Sequence, residues 1–369
     1  MSRVPQHGAT RGVVLSLGAA AAFGVLVPAA KISLAELTPL RAAALTYLAA
    51  AATCLAAMAV RRLAGGDVGT PPGFGRHLLR LAGIVLFGGI AGPWLFFEGL
   101  SRIAGHQAAL LQNLEFVLTV TAAILLLGER PGRGGAAGLA LVATGLALLV
   151  GARLSGATDG ALVLNLTGVG LMVAACLSWA IDNTLARGVS DLDPLMVVLI
   201  KGSVAGFVLL FLSRGDPMPS GVPAWIEVCV AGSIGVGLSL ILELLALRRI
   251  GAALNAGLFA TGPAFGFLWS VILLGERPTG LGVTALALCG AGAVSLGFDR
   301  HRHAHAHQAL VHSHRHRHDD SHHAHEHEPG FEPGIEHTHE HEHTVLEHSH
   351  PHVHDDHHRH RHRAGSTPR

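Results

Sequence analysis

Arg102–Pro131 reads RIAGHQAALLQNLEFVLTVTAAILLLGERP, and Arg249–Pro278 reads RIGAALNAGLFATGPAFGFLWSVILLGERP. Without a gap, both open on Arg-Ile and close on Leu-Leu-Gly-Glu-Arg-Pro, so the chain carries an internal duplication. The copies lie in strongly apolar sequence, where a repeat points to a transporter of two similar halves with its binding site between them.

Working outward from the duplication, half the 369 residues are apolar and only 14% are charged. The apolar residues come in blocks of about 19 to 24, enough for a helix to cross roughly 30 Å of hydrocarbon. Ala and Gly dominate these blocks, which favours closely packed helices over the alternating strands of an outer-membrane barrel. Spans are expected at 12–30, 41–60, 81–100, 104–127, 134–152, 167–187, 195–213, 225–247, 251–274 and 279–298. The expected fold is an all-α membrane protein with ten transmembrane helices. Cys54, Cys176, Cys229 and Cys289 all fall inside apolar blocks and read as small packing residues, not as a disulfide framework.

The first block resembles a cleavable leader, but Ala22-Phe23-Gly24 through Lys31 aligns with Ser178-Trp179-Ala180 through Arg187. A retained first span is therefore expected. Five spans per half is an odd number, so the second half must cross the bilayer upside down relative to the first: two inverted five-helix repeats. Counting positive charge orients them. With the N-terminus inside, the inner segments hold Arg3, Arg11, Arg61, Arg62, Arg76, Arg80, Arg130, Arg133, Arg187, Arg248 and Arg249. The outer ones hold only Lys31, Arg41, Arg102, Arg153, Arg214 and Arg277. Both termini are expected in the cytoplasm, and the protein in the inner (plasma) membrane. The domain layout reads as a cytoplasmic N-terminus at 1–11, a first repeat at 12–153, a second at 164–298, and a tail at 299–369.

Two five-helix halves, each closing its fourth helix with Leu-Leu-Gly-Glu-Arg-Pro, resemble the EamA-like permeases of the drug/metabolite transporter superfamily. The likeness covers 12–298. Within it, Leu110-Leu111-Gln112-Asn113-Leu114-Glu115 followed by Thr119, Ser178-Trp179-Ala180-Ile181-Asp182-Asn183, and Ile200-Lys201-Gly202 match segments of one branch. The resemblance implies a secondary-active exporter of small metabolites, amino acids or drugs, working by alternating access. Glu98 and the tail lie outside the family pattern.

Charged side chains in the middle of a span are costly and persist where they face a cavity or a partner. Glu115, Asp182, Lys201 and Glu243 qualify. Gln112, Glu115 and Thr119 share one face of the fourth helix, and Asp182 and Lys201 fall at depths that allow an ion pair. With Asn113, Asn183 and Trp179 they form the expected substrate cavity. Glu276-Arg277-Pro278 and Glu129-Arg130-Pro131 read as helix punctuation, each carboxylate near the positive end of the helix that follows it. Gly134 and Gly138 form a small-residue face for packing within the chain.

Of the 27 histidines, 24 lie after Arg300. His301, His303, His305 and His307, then His337, His339, His341 and His343, then His350, His352 and His354 recur on alternate positions. The tail is too polar for a core and is expected to be disordered, with imidazoles able to bind Ni, Zn, Co or Cu ions. That leaves two alternatives: a transition-metal exporter fed by the tail, or a membrane-anchored metal buffer or sensor. No catalytic constellation or nucleotide-binding loop is present, so the chain reads as a non-enzyme that needs no cofactor. The expected partners are the lipid bilayer, a small-molecule substrate and tail-bound divalent metals, without nucleic acid, in a monomer or weak dimer.

Overall fold

Backbone N–H and C=O groups in hydrocarbon have no water to pair with, so each apolar block must satisfy its own amides and does so as a helix. The computed structural model describes residues 6–65, 74–127, 132–154, 165–189, 192–297, 301–307, 310–316, 337–343 and 346–352. It divides into two units, Met1–Asp299 and Arg300–Arg369.

Among its described residues the first unit is entirely helical. Its α-helices are α1 Gln6–Ser33, α2 Pro39–Leu63, α3 Leu78–Gly83, α4 Gly92–Leu100, α5 Gly105–Leu127, α6 Arg133–Leu154, α7 Leu166–Ala186, α8 Pro194–Leu212, α9 Val222–Cys229, α10 Ser239–Phe259, α11 Gly262–Leu274 and α12 Gly280–Gly297. A π-helical segment, Ile84–Ala91, joins α3 to α4, and a second, Val230–Leu238, joins α9 to α10. Among the described residues, seven helices are long and apolar enough to cross a membrane, and Gly134–Leu149 and Gly280–Ser295 are shorter apolar helices.

Side-chain contacts sort the helix ends into two sets. At one end Lys31 Nζ donates to the carbonyls of Leu100 and Ile103, and Arg41 donates to Ser213 Oγ at 3.0 Å. At the other, Arg61 pairs with Asp193, Arg80 donates to Gly188 O, and Ser295 Oγ donates to Gly134 O. α1 ends at Lys31 among the first set. Its repeat mate α7 starts there, with Gly168 against Arg102 and Ile103, and runs toward Arg80. The first helix of the second half therefore points the opposite way to that of the first, as in an inverted repeat.

The repeat is also visible in local geometry. The displacement that sets Arg102 on Arg249 carries Ile84–Ala91 onto Ala231–Leu238, so both π-helical segments occupy the same place in their halves. A π turn widens the helix and leaves carbonyls for other donors. Phe87 O accepts from Ser178 Oγ and Gly88 O from Tyr47 OH, both at 3.0 Å. In the second half, Ser239 Oγ takes the carbonyl of Gly235, the residue that corresponds to Gly88, and that of Val236 beside it.

α1 packs on α10, α11 and the second π segment, while α7 packs on α4, α5 and the first, so each half lodges its first helix against the other half. α1 thus stands in the core, with Ala19, Ala20, Val27 and Ala30 almost wholly buried. α6 and α12 pack together where Gly292 meets the Gly138 carbonyl and Val142, a small-residue contact within the chain. All four cysteines are free; Cys54, Cys176 and Cys289 are buried, whereas Cys229, expected to pack inside, is exposed.

In the second unit the described residues form antiparallel ladders pairing His301–His307 with Leu346–His352 and Leu310–His316 with His337–His343. Alternation of His with small or polar residues suits an extended chain, yet a two-stranded ladder without an apolar face has little to hold it together in water.

Candidate functional site

Where the two halves meet, mid-helix residues enclose a cavity of about 280 Å³. Its polar wall comes from four helices. α5 supplies Gln112 and Glu115, α7 supplies Trp179, Asp182 and Asn183, α8 supplies Lys201, and α10 supplies Ser239 and Glu243. Seven of the eight residues expected from sequence are thus among those lining one space. The exception is Asn113, which is buried on another face of α5, its amide donating to Leu110 O at 2.9 Å.

One ion pair and one amide–carboxylate contact tie the polar wall together across elements. Lys201 Nζ donates to Asp182 Oδ2 at 2.8 Å, tying α8 to α7. Asn183 Nδ2 donates to Glu115 Oε1 at 2.9 Å and to Thr119 Oγ1 at 3.4 Å, tying α7 of the second half to α5 of the first. Taking ionised groups out of water is expensive unless they are paired and hydrogen-bonded. Asp182 is only partly satisfied: its Oδ1 is buried without a hydrogen-bond partner, and so are both side-chain polar atoms of Gln112.

The apolar wall was not read from sequence. Phe23, Tyr47, Phe116 and Phe259 face the cavity beside Trp179, whose ring packs on Phe96 at 5.5 Å between centroids. The repeat does carry a signal for one of them, since Phe23 aligns with Trp179. Aligned positions also expose an asymmetry. Glu115 corresponds to Gly262, Gln112 to Phe259 and Asp182 to Leu26, so the scaffold is two-fold while its chemistry is not. At Ala260-Thr261 the helix breaks between α10 and α11, next to Pro263 on the cavity wall.

Two polar clusters flank the site at one end of the unit. Arg41 is buried, donating to Ser213 Oγ, Ser213 O, Asp216 O and Met218 Sδ, while Thr38 hydrogen-bonds Asp216. Nearby Glu276 accepts from the Gly105 N–H at 2.7 Å, the His106 N–H at 2.8 Å and His106 Nδ1 at 2.6 Å. Its carboxylate therefore serves the N-terminus of α5 in the opposite half, not the helix that follows it. Gly275, with φ of 65°, makes the left-handed turn that releases α11 and swings Glu276 across. Burial alone would raise the Glu276 pKa. The His106 ring and the two backbone amides outweigh it, and the carboxyl sits below its ordinary value. The first copy of this motif, Glu129-Arg130-Pro131, lies outside the described residues. Glu98 pairs with Arg102 one turn on, at the end of α4.

Among the described residues no group of three or more His, Cys, Asp or Glu could hold a metal ion. The side chains of the expected tail ligands lie outside those described.

The sequence profile of the EamA-like transporter family matches residues 10–151 and again 166–298. A solved crystal structure of a protein is similar over 78% of this chain and 96% of its own, at 22% identity and a TM-score of 0.55, a likeness of fold alone. Among curated proteins none matches.

Proposed function

The chain belongs to the EamA-like transporter family, and on that premise we propose that it is a secondary-active exporter of small metabolites, amino acids or drugs. Membrane transport of the drug/metabolite type follows from the family; the rest is the reading its geometry supports best. The carrying observation is that Glu115 from one half, and Asp182 and Lys201 from the other, line a single cavity midway along the helices. In this reading ten helices cross the inner membrane with both termini in the cytoplasm. The halves rock about the cavity so that it opens first to one side and then to the other. The Arg41 and Glu276 clusters seal one end, and the Arg61–Asp193 pair ties the other.

Energy would come from a gradient, with Glu115 and Glu243 as carboxylates placed to exchange protons for substrate. The tail is proposed to bind divalent transition metals outside the transport path. A metal-exporter or metal-buffer role finds no receiving ligand cluster among the described residues of the body.

The test is an untargeted comparison of compounds and metals exported by cells carrying the protein, its Glu115→Gln variant, and a chain lacking residues 301–369. Organic compounds lost with Glu115→Gln and retained on truncation support the reading. A metal as the only exported species, with export lost on truncation, would replace it by the metal exporter.

A further inference from the structure

Resting on the transporter reading, the charges that line the cavity narrow the ligand. Three carboxylates line it, from Glu115, Asp182 and Glu243, against one ammonium, from Lys201. That ammonium is already committed to Asp182 Oδ2. Asp182 Oδ1 and the Gln112 amide are closed off from the open space, whereas the Glu243 carboxylate lines it with no hydrogen bond or ion pair among the described residues. A buried acceptor without a donor costs about 1–3 kcal/mol, and such a site favours a ligand that supplies what is missing. The missing element is positive charge carrying N–H groups.

The other wall is aromatic. Phe23, Tyr47, Phe116, Trp179 and Phe259 present ring surface that suits an apolar body and attracts a cation over a ring face. At about 280 Å³ the space takes one small organic molecule, not a peptide.

We infer that the cavity binds a small organic amine as its protonated cation, its N–H groups donating to the Glu243 and Glu115 carboxylates and its apolar body lying on the aromatic wall. Hydrogen-bond donation, and not charge alone, selects it. A quaternary ammonium of similar size would leave the buried acceptors unpaired. A carboxylate of similar size would meet three others.

The test uses the full-length protein in detergent at pH 7.5 and follows thermal unfolding with butylamine, benzylamine and tryptamine. Benzyl alcohol, phenylacetate and benzyltrimethylammonium are the matched controls. At least one amine should stabilise saturably, with each control at least tenfold weaker. Glu243→Gln should weaken that amine by roughly ten- to hundredfold, the worth of a charge-assisted hydrogen bond. If that variant fails to fold, Glu115→Gln should weaken it by a similar factor. Equal stabilisation by any control, no stabilisation by any amine, or unchanged affinity in the folded variant would overturn the inference. Proteoliposomes separate it from the reading beneath it. Amine binding without amine flux would refute transport and keep the site, whereas flux of a neutral or acidic compound without amine binding would refute the site and keep transport.

Discussion

Gly88 lies so close to Asp182 that a methyl group at its Cα would overlap the carboxylate. Its repeat mate Gly235 stands in the same relation to Leu26, the residue that aligns with Asp182, where an added Cβ would come within 2.8 Å. The π-helical segment of each half is thus seated on the first helix of the other. In one seat the neighbour is apolar, and in the other it is half of an ion pair. Gly88→Ala should displace Asp182 from Lys201 and reduce transport severely, while Gly75→Ala, with nothing within 4 Å, should leave it unchanged. Transport by Gly88→Ala at the wild-type rate in proteoliposomes would show that the close contact is dispensable.

Glu115→Gln should abolish transport with normal amounts of folded protein in the membrane. The amide keeps an oxygen to accept from Asn183 Nδ2, so the link between α5 and α7 survives while the charge is lost. Transport rate per folded molecule is the measurement, and full activity at normal expression would remove Glu115 from the mechanism.

Lys201→Ala should be costly because it strands a buried carboxylate, an effect of roughly 3–5 kcal/mol for such pairs. Asp182→Leu combined with Lys201→Leu should recover most of that stability in thermal unfolding. If the pair only clamps α7 to α8, transport returns with stability. A cavity role predicts a stable but inactive double variant.

The Glu276 clasp predicts a pH dependence of stability. Its carboxyl is held below the ordinary value, near 4.3 in an unfolded chain, so its stabilisation is complete above that value and lost as pH falls through the lower folded pKa. Glu276→Gln should cost about 1.5–3 kcal/mol at neutral pH. The gap to wild type should narrow below about pH 4.3. Thermal unfolding of both proteins from pH 3 to 8 measures it, and a gap that widens toward acid contradicts the assignment.

Single cysteines at Ala64 and Ser220, both exposed, test orientation in a Cys-free variant. A membrane-impermeant thiol reagent applied outside should label position 220 and spare position 64, as the excess of Arg in the inner segments requires. The reverse pattern would invert the protein in the membrane.

The sequence by itself determined the helical membrane fold, its division into two similar halves, and which polar residues had to find company inside it. These are properties of local composition: apolar length, repeat register, and the expense of a charge in hydrocarbon. Asp182 and Lys201 could be paired on paper because only a short turn separates their helices. Tertiary structure alone decided what crosses between halves. Asn183 reaches Glu115, Glu276 clasps Gly105 and His106, and Asn113 turns away from the cavity that its neighbours Gln112 and Glu115 line. A one-residue step on a helix rotates a side chain by about 100°, and a contact across an inverted repeat joins residues 68 to 171 positions apart. Neither the rotation of a helix against its partner nor that long-range closure is written in any local window. Both are fixed only when the two halves pack.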